Sequence, residues 1–192
     1  NLYVNLTNKC PCSCTFCLRQ TMDHVGESDS LWLTREPEYD EIIADFANFD
    51  VASFDELVFC GFGEPTERID VLLKVARYFK ETYHKPIRIN TNGLGNLVNG
   101  RDIAPDFKGL IDTISISLNT PNADRYHELV RSRFGDQSFQ AMLDFAGEAK
   151  HYVPHVVLTI VDKDKSPEEI QNCRDIAARL GVQLRIRSFI DS

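Results

Sequence analysis

Six short apolar runs recur along this chain, near residues 2–6, 56–60, 87–92, 112–118, 155–161 and 182–189. Longer segments with helical periodicity separate them, near 38–49, 67–82, 122–131, 137–150 and 167–180. Repeated strand–helix alternation predicts an α/β fold, with a parallel sheet and helices packed outside it. Ser166 and Pro167 form an N-cap and a first helical position, and Gly181 after Leu180 supplies the matching stop.

The strands narrow the choice further. A parallel sheet covered on both faces calls for nearly continuous apolar strands. Several strands here alternate instead. In DTISISLN, Ile114, Ile116 and Leu118 alternate with Thr113, Ser115, Ser117 and Asn119. IRINTN alternates Ile87 and Ile89 with Arg88, Asn90 and Asn92, and VQLRIRS alternates Val182, Leu184 and Ile186 with Gln183, Arg185 and Arg187. Side chains alternate faces along a strand, so one face packs on helices and the other is polar. An antiparallel sheet with one wet face has the same pattern, but the intervening helices favour a curved, open barrel with a polar lumen. Such a lumen suits a charged small molecule.

With 192 residues, the chain reads as one well-cored domain spanning 1–192. A formal charge of −8 argues against a general binder of nucleic acid or anionic membrane, which needs a basic surface. No apolar run approaches the roughly 20 residues that span a bilayer, and no signal-peptide pattern is present, so the expected location is cytoplasmic. The first residue is Asn1 rather than Met.

Four of the six cysteines crowd into CPCSCTFC, from Cys10 to Cys17, directly after the first apolar run; Cys60 and Cys173 stand apart. A disulfide framework spreads its cysteines through a small, loop-rich fold, unlike this cluster. Three readings of the loop remain. Cys10, Cys14 and Cys17, spaced C-x3-C-x2-C, can hold three irons of a [4Fe–4S] cluster and leave the fourth iron open. Cys12, Cys14 and Cys17 form an alternative set. Zinc suits thiolates equally, but a structural zinc site commonly draws on a second, distant pair of Cys or His, which is missing here. A zinc-binding interaction module therefore stands as the rival class.

The C-x3-C-x2-C loop after a first strand, with Phe16 before its third cysteine, resembles the signature of the radical S-adenosylmethionine (SAM) enzymes. The strand ELVFC runs into Gly61, Phe62, Gly63, Glu64 and Pro65, which is similar to that family's GGEP motif with Phe62 in place of a glycine. More narrowly, NLTNKCPCSCTFCLR, FCGFGEPT, INTNGLGN and ISLNTPNADRY resemble the small radical SAM proteins termed TatD-associated, named for a neighbouring TatD-type hydrolase.

The resemblance implies a partial (β/α)6 barrel, a [4Fe–4S] cluster and S-adenosyl-L-methionine as cofactors. It implies Cys10, Cys14 and Cys17 as cluster ligands, with Cys12 a bystander thiol. The expected reaction is reductive cleavage of S-adenosylmethionine to methionine and a 5′-deoxyadenosyl radical that abstracts hydrogen from a substrate. A dedicated activase installing a radical on a partner protein is the alternative within the family. An electron donor such as flavodoxin or ferredoxin is the implied partner.

Carried over residue by residue, Gly61 to Pro65 meet the methionyl amine. Ser117 and Asn119 match the ribose-binding position at the end of the fourth strand, and Asn90 and Asn92 face the same lumen. Arg185 or Arg187 pairs with the cofactor carboxylate, which a guanidinium binds bidentately. Val161 and Asp162 are minor candidates for an adenine or ribose contact, and Cys60 lies near the cofactor. Cys173 on its amphipathic helix reads as packing. The five histidines show no close metal spacing. The stretch from Thr21 to Glu36, with Gly26, Ser28, Asp29, Ser30 and Trp32, is long for a loop and is expected to cover cluster or substrate.

Overall fold

A computed structural model describes residues 1–24 and 29–188. Six strands form a single sheet: β1 (Leu2–Val4), β2 (Leu57–Phe59), β3 (Ile87–Thr91), β4 (Thr113–Ser117), β5 (His155–Val161) and β6 (Gln183–Arg187). Their order in the sheet is their order in the chain, and every neighbouring pair is parallel. The sheet is open, with β1 and β6 as its edges. This is a partial (β/α)6 barrel. Apart from β5, which fills its run 155–161, the strands are shorter than their apolar runs, because residues flanking them turn into loops. Position 189, at the end of the sixth expected run, lies outside the described residues, as do Gly26 and Ser28.

The helices are α1 (Tyr39–Asp45), α2 (Ile69–Tyr83), α3 (Gly95–Asn99), α4 (Ala123–Val130), α5 (Ser138–Ala149) and α6 (Pro167–Leu180), and all but α3 follow the sequence periodicity. In α2, Ile69, Leu72, Val75, Ala76 and Phe79 are buried, the i, i+3, i+4 stripe of a helix with one core face. Ser166 and Glu169 form a reciprocal capping box at the start of α6, and Gly181 takes the left-handed conformation at its end. The helix expected over 38–49 stops at Asp45 and tightens into a 3-10 turn over Phe46–Asn48. Helix α3 and the 3-10 turn Ala104–Phe107 have no counterpart in the sequence reading. Gly93, Gly95, Gly100 and Pro105 dilute the pattern there, while Leu94, Ile103 and Phe107 anchor the segment in the core.

Register separates the two sheet faces. Leu57, Ile87, Ile89, Ile114, Ile116, Leu158 and Ile160 join the helices in one apolar core. On the other face, Arg88 lies beside Thr113, Asn90 beside Ser115, and Ser117 beside Thr159, which pairs with Arg185. That face forms the lumen, and it is not uniformly polar. Val58 and Val157 lie on it, buried but outside the main core cluster. Arg88 has a countercharge, its guanidinium 2.8 Å from the Glu56 carboxylate. Among the described residues no helix is long and apolar enough to cross a membrane.

Candidate functional site

The cysteine loop crosses the carboxyl-terminal rim of the sheet and docks on the far end of α4. Ser13 N donates to Val130 O at 3.1 Å, Thr15 N to Leu129 O at 2.8 Å, and Arg133 N to Pro11 O at 2.8 Å. Cys12 and Ser132 form an isolated antiparallel bridge. Beneath lies Tyr126 of α4, buried against Phe139. From the other side the Arg19 guanidinium reaches the carbonyls of Cys12 at 3.2 Å and Asn8 at 3.5 Å.

This docking separates the thiols. Cys10, Cys14 and Cys17 are half-buried, whereas Cys12 is turned into the core at 3% exposure. Hydrogen bonds shared with Cys12 pull the Cys10 and Cys14 thiols below their ordinary range and push Cys12 up, while burial raises Cys17. Among the described residues no three His, Cys, Asp or Glu side chains converge on one point as ligands of a single metal ion. An iron–sulfur cubane takes each thiolate at a different iron and makes no such demand. Three part-exposed thiols on one braced loop fit that donor set.

The GFGEP segment packs against the start of the same loop. A Cβ on Gly63 would overlap the backbone carbonyls of Thr7 and Lys9, and one on Gly61 would overlap the Asn5 side chain. Here the close approach that glycine permits is between the β1 and β2 rim loops. Glu64 N donates to Lys9 O at 2.8 Å, locking the two together. The Glu64 side chain is buried, and burial pushes its carboxyl up. It accepts from Thr66 N, Thr66 Oγ1 and Thr91 Oγ1 on one oxygen, and from Asn92 N on the other. Glu64 thus ties the second strand's rim to the third strand's end. Pro65 opens the following 3-10 turn, and Phe62 packs on Trp32 with ring centroids 5.1 Å apart.

Asn92 stands at the meeting point. Its side-chain nitrogen lies 3.6 Å from Cys12 Sγ and 3.9 Å from Cys10 Sγ. Asn90 is two residues deeper on the lumen face, and alternation puts Cys60 on that face beside it. Ser117 is level with Thr159 and Arg185, and Val161 is level with Arg187 one step further out. Both arginines are exposed, and Asn119 follows in a left-handed conformation. Asp162 begins the exposed turn after β5, its N–H bonded to Arg187 O. Phe16, on the loop itself, is exposed. Cys173 is buried in the core.

The stretch before α1 is clamped to the rim of β1. Asn5 and Asn8 bind the backbone of Leu31 and Leu33, and the Glu36 carboxylate accepts from Thr7 Oγ1 at 2.7 Å. Sequence reasoning gave no individual role to Thr7, Asn8, Arg19 or Tyr126, and it named Glu36 only as the end of a stretch expected to cover the site. All are common residue types whose partners lie far along the chain, and only Asn8 and Arg19, flanking the cysteines, gave a positional signal.

A family model described as the radical SAM superfamily matches residues 4–176. The chain belongs to the radical SAM superfamily. Radical SAM proteins are enzymes, and the cofactors of the family, a [4Fe–4S] cluster and S-adenosyl-L-methionine, are those of this chain. Molybdenum cofactor biosynthesis protein 1 of Dictyostelium discoideum is 28% identical over 141 residues, covering 73% of this chain and 21% of that protein. Streptococcus suis SuiB, solved bound to S-adenosylmethionine, superposes with a TM-score of 0.68 at 16% identity, over all of this chain and 41% of SuiB. The FeFe-hydrogenase maturase HydG from Carboxydothermus hydrogenoformans gives 0.69 at 13% identity, over all of this chain and 44% of HydG. The radical SAM chain described here thus spans about a fifth of the curated relative and about two-fifths of these solved chains.

Proposed function

We propose that residues 1–192 act as one radical SAM core domain whose Cys10, Cys14 and Cys17 hold the cluster, with Cys12 the spare thiol. The observation that carries this reading is the division of the loop: three thiols part-exposed at the strand ends, one turned into the core. When bound, the reduced cluster and S-adenosyl-L-methionine supply the chemistry, one electron splitting the sulfonium into methionine and a 5′-deoxyadenosyl radical that takes hydrogen from a substrate.

The chain's own residues bind and orient. Gly61 to Pro65 offer rim backbone to the cofactor amine, while the Glu64 carboxylate, already engaged by four protein donors, holds that backbone in place. Ser117 and Asn119 take the ribose. Arg185, level with Ser117, is the guanidinium for the cofactor carboxylate, and Arg187 lies one step outward. Val161, with Asp162, flanks the adenine. Asn90 lines the lumen below. Phe16 and the segment ending at Trp32 and Glu36 restrict solvent at the rim.

Within the superfamily, the four stretches similar to the TatD-associated group support a functional link to a TatD-type hydrolase. A small flavodoxin- or ferredoxin-like protein is the expected electron donor, and the cytoplasm is the expected location. Variants with each of the four loop cysteines changed to Ala, prepared without oxygen, test the reading. Cys10→Ala, Cys14→Ala and Cys17→Ala should lose the intact cluster and 5′-deoxyadenosine formation, whereas Cys12→Ala should keep iron, sulfide and cleavage near wild type. Fully clustered wild type that forms no 5′-deoxyadenosine sinks the enzyme reading. Loss of the cluster in Cys12→Ala with its retention in Cys10→Ala sinks the ligand set. Colourless protein carrying zinc would favour the interaction-module rival.

A further inference from the structure

Asn92 is held so firmly that its amide has one orientation open to it. Its backbone N–H donates to the buried Glu64 carboxylate at 2.8 Å. Its side-chain oxygen accepts from Leu94 N at 2.9 Å. Flipping the amide would set two donors against each other at Leu94, so Oδ1 faces Leu94 and Nδ2 faces the cysteine loop. The two hydrogens on Nδ2 then meet two sulfurs, Cys12 Sγ at 3.6 Å and Cys10 Sγ at 3.9 Å.

We propose that Asn92 is a positioning residue for the cluster, its amide donating a hydrogen bond to the Cys10 thiolate that stabilises the reduced state and raises the cluster's midpoint potential. The inference rests on the ligand assignment of Cys10 made above. Reduction adds an electron to the cluster and its sulfurs, so a donor aimed at a ligand sulfur binds the reduced form more tightly. Hydrogen bonding to cluster sulfurs is one of the levers by which a protein sets such a potential. The remaining links are structural. Glu64 fixes Asn92, and Asn92 reaches Cys10, so the GFGEP segment acts on the cluster through the end of β3 without touching it. Cys12 takes the second hydrogen and helps hold the amide in plane.

Potentiometric titration of reconstituted protein, followed by electron paramagnetic resonance of the reduced cluster, reads this directly. Asn92→Asp keeps the shape and the acceptor for Leu94 N but removes both donors; Asn92→Ala removes them without adding charge. At the wild-type midpoint, the ratio of reduced to oxidised cluster should fall about tenfold in Asn92→Ala, equivalent to about 59 mV for one electron. The fall should be larger in Asn92→Asp, whose carboxylate opposes reduction. Variants with wild-type iron and sulfide and an unmoved midpoint overturn the proposal. Should both variants fail to hold a cluster, wild type grown on asparagine labelled with 15N at the side-chain amide decides instead. A 15N coupling to the reduced cluster in pulsed resonance supports the bond, and its absence overturns it. Wild type that assembles no cluster removes the ligand assignment and this inference together. A clustered, cleaving wild type with an unmoved variant midpoint removes this inference alone.

Discussion

Gly63 shows how strictly one residue governs this rim. Its missing Cβ is space that the Thr7 and Lys9 carbonyls occupy, and both belong to backbone that cannot rotate aside. Gly63→Ala should therefore separate the GFGEP segment from the cysteine loop and break the Glu64 N to Lys9 O hydrogen bond. The expected outcome is a lowered Tm and weakened iron binding, measured by differential scanning calorimetry and iron content after anaerobic reconstitution. Gly109→Ala serves as a comparison, since no atom lies near a Cβ there and only its positive φ is strained. The sequence made the motif legible but not its partner. GFGEP reads as a ligand-facing turn because glycine invites close approach, and only the fold reveals that the nearest approach is to residues about 55 positions earlier. Spacing alone left Cys12 in an alternative ligand set, and only the family resemblance marked it as the bystander. Its burial depended on Ser132, which nothing in the sequence joined to it.

The segment from Leu31 to Glu36 is an element without regular secondary structure, held by polar contacts rather than by a core. Hydrogen bonding from Thr7 Oγ1, followed by the pull of Lys9 and Arg68, holds the Glu36 carboxyl below the usual carboxylate range. A depressed folded-state pKa contributes stability above the unfolded value, and this is lost as pH falls through the folded one. Tm should therefore drop more steeply for wild type than for Glu36→Gln as pH falls through the carboxylate range, below about 4.3. The difference should vanish well above that range except for a constant offset. Parallel curves throughout would show that Glu36 titrates as an ordinary surface group. Helices were the elements best read from sequence, since α2, α5 and α6 carry apolar stripes and α6 has its capping box. Helix α3 escaped because its five residues include one glycine and are followed by another, at 100. Its place is set by contacts of Gly95 with Ile103 and Thr66, which are tertiary.

Across the whole molecule, six strands in sequential order give a sheet whose neighbours are always consecutive in the chain. That regularity is why the alternation of apolar runs was enough to foresee the architecture, including one polar face. The buried Val58 and Val157 on that face were hidden in runs that read as core on either side. Contacts outside the sheet break the sequential rule, and one of them spans most of the sheet. Residues 11–15 are hydrogen-bonded to 129–133, closing a loop of well over a hundred residues. Contacts so distant in sequence form late, after local strand–helix units have removed most of the intervening freedom. The loop thiols, made before α4, are thus among the last groups to be fixed in space. In pulse-labelled hydrogen exchange during refolding of the apo chain, the amides of Ser13, Thr15 and Arg133 should gain protection together, after those of β3 and β4. Early protection of Ser13 and Thr15 alone would disprove this order. If the order holds, iron meets an unassembled ligand set until residues 129–133 have been made, and metal loading is timed to completion of α4 rather than to emergence of the cysteines.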